Sequence, residues 1–158
     1  MADAAVEGIL AQWAHVHEMT LAFIDAVPDE HWQFTPHPRF APFAKQARHV
    51  VGVRGVYIDA LRTRRGDFSR KHDYYVGALE RAPLRAALEA QHESLMADAR
   101  GVALDPAWRL DWFGTPVSPA HFLAKVIQHE AIHHGEWSVY ASMAGFETPG
   151  LWKANWGL

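Results

Sequence analysis

Apolar residues recur at alternating steps of three and four in four stretches of the chain, the spacing that puts them on one face of an α-helix. The first stretch runs from about Asp3, a candidate N-cap, to Ala26. Its seam is Val6, Ile9, Trp13, Val16, Thr20, Phe23 and Val27, and Pro28 ends it. His31 to Pro42 is proline-rich and excludes regular helix. The second stretch opens near Pro42 and reaches about Arg64, before Gly66, with Gln46, His49, Val53, Val56 and Ala60 facing inward. The third starts at Pro83 and stops at Gly101, along Leu84, Leu88, Gln91, Leu95, Asp98 and Val102. The fourth opens on Ser118-Pro119 and closes at Gly145, with Pro149 beyond. It carries Phe122, Val126, His129, His133, Glu136, Tyr140 and Met143.

Sustained alternation in all four stretches predicts an all-α fold, a four-helix bundle with long connections after helices 1, 2 and 3. Residues 66–82 and 103–117 are too short for a second domain, so the chain reads as one domain over 1–158. These connections have room for a brief helix and a strand-like excursion, with Trp108 to Phe113, followed by Gly114, the foremost candidate for an extended piece. Beyond the last helix, Leu151 to Leu158 carries Trp152 and Trp156. These are expected to pack on the bundle, ahead of covering a pocket mouth or meeting a second subunit.

Composition narrows the function. With 49% apolar and 21% charged residues, the chain has a globular balance. A net charge of −3 argues against a nucleic-acid partner, since the short basic run at Arg62, Arg64, Arg65, Arg70 and Lys71 is diluted by Asp59 and Asp67. No apolar run is long enough to cross a bilayer, and the first residues lack a secretory pattern, so a cytoplasmic protein without a membrane partner is expected. Cysteine is absent, which excludes disulfides, thiolate ligands and a cysteine nucleophile.

Eleven histidines stand out. His31, His37 and His72 fall in connections. His15, His17, His92, His121 and His134 each sit one position off a seam and are expected at the surface or rim. His129 and His133 differ: four apart on one helix, they project from the same face one turn apart. Glu136 continues that line, and His49 faces inward from helix 2. A row of polar groups on a buried face needs a shared partner, because each one left unpaired costs about 1–3 kcal/mol. A metal ion on His49, His129 and His133 supplies that partner.

His129-Glu130-Ala131-Ile132-His133 also matches the H-E-x-x-H pattern of zinc peptidases. Such enzymes add a third ligand downstream and a strand that aligns the peptide. Only His134, Glu136 and Glu147 are available there, so a peptidase or other metal-dependent hydrolase is the less favoured reading.

Three passages together resemble the DinB-like superfamily of metal-binding helical bundles. The first is Ile127 through Trp137 with Tyr140 and the Gly145–Pro149 exit; the second is Ala47-Arg48-His49-Val50-Val51; the third is Val27 through Trp32. The family pattern in the last helix is close to H-E-x-x-H-R-G-Q. Here His134 stands where arginine is common and Glu136 where glutamine is common. The resemblance covers essentially the whole chain. It implies a His49/His129/His133 triad facing a pocket, often in a homodimer. It also implies kinship with transferases that use low-molecular-weight thiols and with a thiol-dependent isomerase.

On that analogy the expected cofactor is one divalent ion, zinc or nickel ahead of iron, manganese or copper. The expected partners are an electrophilic small molecule and a low-molecular-weight thiol. Glu136 would sit behind a ligand or handle a proton, with Tyr140 and Gln128 as lesser candidates. Gly135, which costs roughly 1 kcal/mol against alanine in mid-helix, is expected at a close helix contact. The competing reading is a stress-associated metal-binding protein without turnover.

Overall fold

Helix follows helix in the predicted order in the computed structural model, which describes residues 4–158. Helices α1 (Ala4–Ala26), α2 (Phe43–Thr63), α3 (Arg81–Val102) and α4 (Pro119–Ala144) are joined by a 3-10 turn at Asp29–His31, a coil over 64–80, and a small antiparallel hairpin. The hairpin consists of β1 (Leu110–Trp112) and β2 (Thr115–Val117), and a short α5 (Gly150–Trp156) closes the chain. The described residues are thus mostly helical, with five α-helices and a two-stranded sheet. Asp3, the candidate cap of α1, lies outside the described residues. No helix is long and apolar enough to cross a membrane among those residues.

The ends of α4 follow local chemistry. Ser118 caps it, its side chain accepting from the amide of His121, with Pro119 at the first helical position. Gly145 ends it in the left-handed region at φ 80. The extended segment is shorter than Trp108–Phe113 and returns on itself, pairing Leu110 with Val117 and Trp112 with Thr115. Phe113 (φ 51) and Gly114 (φ 83) both take left-handed angles, as a two-residue hairpin turn requires.

Helix α1 packs against α3 and α4, and α2 packs against the same pair. Two apolar clusters result. One gathers Val6, Leu10, Trp13, Val53, Tyr57, Leu95, Trp108 and Phe122. The other gathers Met19, Phe23, Phe43, Val51, Leu84, Trp137, Tyr140 and Trp152. Leu10 takes the fully buried place expected of Ile9, and Met143 is 58% exposed because the buried face of α4 ends at Tyr140 and Ala141. From Val50 to Ile58, α2 is buried all the way round, since the 64–80 coil covers its outer side. Two glycines admit that coil. A Cβ on Gly52 would stand 2.7 Å from the Lys71 carbonyl oxygen, and one on Gly55 2.3 Å from the Tyr74 Cβ.

Two of the histidines expected at the rim are inside. His17 and His134 are 6% and 2% exposed. Because α1 touches two helices at once, its buried arc is wider than one seam and takes in His17. His134 is covered by the unexpected helix α5, whose Trp152 ring centroid lies 4.9 Å from its own. Trp152 is fully buried and donates to the Met19 carbonyl, whereas Trp156 stays 49% exposed. His15 is half-buried, His121 is exposed, and His92 is half-buried with its ring 4.1 Å from that of His17.

Gly135 has nothing near the place of a Cβ and faces solvent, so the close contact expected there is absent. Gly135→Ala should therefore stabilise the protein by about 0.5–1 kcal/mol, the helix-propensity difference. Urea denaturation reads this directly, and a loss of stability would mean that the position carries a hidden constraint.

Candidate metal centre

α2 and α4 run side by side, and the inward faces of both helices bring three imidazoles together. His49, His129 and His133 each offer a ring nitrogen, and those nitrogens lie within 4.8 Å of one another. Ring centroids are 4.6 Å apart for His129–His133, 4.9 Å for His49–His133 and 5.7 Å for His49–His129. The Nε2 atoms of His129 and His133 are 3.2 Å apart. Two nitrogens on a tetrahedral ion with bonds of about 2.0–2.1 Å would be separated by about 3.3–3.4 Å, so the rings already stand at ligand spacing.

Protonation states fit the same use. Burial, followed by the neighbouring charges of His133, Lys71 and His72, lowers the His49 pKa to about 4. Burial and then His133 lower His129 to about 4 as well. Both rings are therefore neutral at pH 7, the form a metal requires. His133 Nδ1 lies 2.9 Å from Glu136 Oε2. A proton on Nδ1 donated to that carboxylate leaves the Nε2 lone pair facing the other two rings, the arrangement that orients metal-bound histidines.

Beside His49 and His133 lies a groove of about 300 Å³ lined by those two residues with Ala41, Lys45, Gln46 and Glu136. Tyr140 stands beside it but is turned away: its hydroxyl donates to the Ala41 carbonyl and accepts from Gln46 Nε2 at 3.4 Å. Burial raises its pKa. Gln128 is exposed and does not line the groove. Tyr57 closes the other side, edge-on to His129 at 5.7 Å.

Glu130, the acid of the H-E-x-x-H string, is 1% exposed and faces α1. It accepts from Thr20 Oγ1 at 2.6 Å and is paired with Arg54, which is equally buried. Burial pushes its pKa up, but the Arg54 charge, the Arg54 and Thr20 hydrogen bonds and His134 together bring it down to about 2. A carboxylate so occupied has no capacity left to activate water at the triad, so the peptidase pattern is not matched by peptidase geometry.

Arg54 also donates to the Leu88 carbonyl at 3.2 Å, lies 3.0 Å from His17 Nδ1, and sits over the Trp13 ring at 4.7 Å. Thr20 Oγ1 contacts His134 Nε2 at 2.8 Å. This interior polar layer joins His17 and Thr20 of α1, Arg54 of α2 and Glu130 and His134 of α4, and the seam pattern does not reveal it. One signal was present. Arg54 is the single charged residue in the otherwise apolar run Val50–Ile58.

The layer makes stability acid-sensitive. Burial, and after it the Arg54 charge, lower the His17 pKa to about 3. The unfolded chain accepts a proton near pH 6.5 that the native state refuses. This contribution is complete above pH 6.5 and declines as pH falls toward 3. Between pH 7 and pH 5 a single such group removes roughly 2 kcal/mol. Denaturant midpoints of metal-free protein across that range should fall, and His17→Gln should flatten the decline by that amount. An unchanged slope in the variant would contradict the assignment.

Comparison with known proteins agrees with this architecture. A DinB-like protein from Bacillus cereus ATCC 10987 superposes with a TM-score of 0.74 at 22% identity, covering 91% of this chain and 95% of that one. A DinB-like protein from Bacillus subtilis gives 0.68 at 16% identity, over 91% and 97%. A DinB family member from Exiguobacterium sibiricum 255-15 gives 0.70 at 13% identity, over 93% and 96%. At these identities the likeness establishes the fold alone. Comparison with curated proteins gives no match. The sequence itself matches the DinB superfamily over residues 12–137, most of the chain, and on that ground the protein belongs to the DinB superfamily.

Proposed function

We propose that the protein is a four-helix-bundle metalloenzyme that holds one divalent cation on His49, His129 and His133 and joins a low-molecular-weight thiol to an electrophilic small molecule. The observation that carries this reading is the trio of ring nitrogens within 4.8 Å of one another, beside a groove of about 300 Å³. Three nitrogen ligands leave positions for an outside molecule, as catalytic sites do and closed structural sites do not. Zinc or nickel suits such a set best. A divalent ion there lowers the pKa of a thiol that meets it and polarises nearby electrophilic groups.

The residues divide the remaining work. His133 is held in one tautomer by Glu136. Glu136 has a side chain 35% exposed and lines the groove, where it can accept the thiol proton as sulfur bonds to the electrophilic carbon. That proton then passes to the leaving group or to the adjacent carbon. Because the chain has no cysteine, the sulfur must come from a co-substrate. Exposed Ile132, Val139 and Met143 on α4 offer an apolar strip for a second copy, consistent with a homodimer.

The test is a panel of small thiols against activated halides and Michael acceptors, run with the zinc- or nickel-loaded protein. Consumption of the electrophile should require the ion and vanish in His133→Ala. Stoichiometric metal without turnover across the panel would leave a binding protein in place of the transferase.

A further inference from the structure

Next to the triad, on the side of His49 away from α4, a second and tighter cleft of about 40 Å³ lies between α2 and the 64–80 coil. On the same measure a single water needs about 10–15 Å³, so this space takes a group of a few heavy atoms and excludes a ring system. Lys45, Arg48, Lys71 and His72 line it, and no carboxylate does. Lys45, Arg48 and Lys71 enter none of the ion pairs among the described residues. In a chain of net charge −3, three cations converge there without a counter-charge.

Their convergence is built into the backbone. Gly52 faces the Lys71 carbonyl so closely that a Cβ would come within 2.7 Å of it. This contact seats the coil carrying Lys71 and His72 directly over the α2 face that carries Arg48 and His49. The cleft also shares Lys45 and His49 with the groove beside His49 and His133. A ligand lying in both would thus have one end at the histidines and the other among the cations.

We propose that this cleft is an anion subsite that selects a thiol bearing a carboxylate, with the carboxylate held by Lys45, Arg48 and Lys71 while the sulfur reaches the ion. The inference rests on the metal reading above and deepens it by naming the class of thiol. Lysine and arginine hold carboxylates through charge-assisted hydrogen bonds, and a few such bonds separate a charged ligand from its neutral analogue by about tenfold or more.

The experiment uses cobalt-substituted protein and follows the sulfur-to-cobalt charge-transfer band as thiol is added. 3-Mercaptopropionate should bind about tenfold or more tightly than 2-mercaptoethanol, and the preference should shrink with added potassium chloride. Arg48→Gln and Lys71→Ala should keep full cobalt content and the band while bringing the two thiols to within about threefold. Succinate should compete and inorganic phosphate should not; the reverse order would overturn the carboxylate assignment. A preference that survives in both variants would mean that the carboxylate chelates the ion itself, and equal affinities in the unaltered protein would mean that no subsite exists. Either result overturns the proposal and spares the metal site. Failure to take up cobalt at all would instead overturn the metal reading and this inference with it.

Discussion

Replacing Glu130 with alanine is expected to destabilise the protein by about 3–5 kcal/mol, the usual penalty for leaving a buried charge without its partner. Arg54 would keep its charge in a site 1% exposed, with only the Leu88 carbonyl and the His17 ring nitrogen as hydrogen-bond acceptors. Thr20 and His134 would lose the acceptor at the end of their chain of bonds. Against a typical total of about 5–15 kcal/mol, such a loss would leave a substantial unfolded fraction at growth temperature. The double variant Arg54→Met, Glu130→Met removes both charges and refills the volume, so it should be more stable than Glu130→Ala alone by at least about 1 kcal/mol. Urea denaturation of the set checks both. A Glu130→Ala protein within about 1 kcal/mol of the parent would mean that water reaches the pair.

The second large effect concerns the ion. His133→Ala removes the ring that stands between His49, His129 and Glu136 and should take with it the largest part of the proposed metal affinity. Glu136→Gln disturbs only the tautomer and basicity of that ring and should weaken binding about 10–100-fold. Zinc at 100 times its dissociation constant stabilises a folded protein by about 2.7 kcal/mol. Thermal denaturation with and without zinc should thus show a clear upward shift for the parent, a reduced one for Glu136→Gln at the same zinc concentration, and none for His133→Ala. An equal shift in all three would place the ion elsewhere.

What could be read from sequence follows from which interactions are local. The helices were legible because periodicity, Ser118-Pro119 and Gly145 are encoded within a few residues of where they act. The pair His129 and His133 was legible for the same reason, since a four-residue step on a helix fixes relative direction. His49 needed a longer inference, from inward position on a separate helix, and the structure brings its ring to 4.9 Å from that of His133.

Non-local partnerships were hidden. Thr20 and Glu130 are 110 positions apart, Arg54 and Glu130 are 76, and no periodicity links them. His17 and His134 looked peripheral because a seam assumes one packing neighbour per helix. α1 has two, and α5 supplies an extra cover. The basic lining at Lys45, Arg48 and Lys71 was equally invisible, as it depends on a coil folding back over Gly52 and Gly55.

Elemental analysis of untagged protein, purified without added metal, beside His49→Ala prepared identically, tests the shared-ion claim most directly. The parent should carry close to one divalent ion per chain and His49→Ala almost none, because His49 is the member of the trio that α2 supplies to the pair on α4. A metal-free parent, or a His49→Ala protein that retains the full complement, would contradict a centre built from both helices.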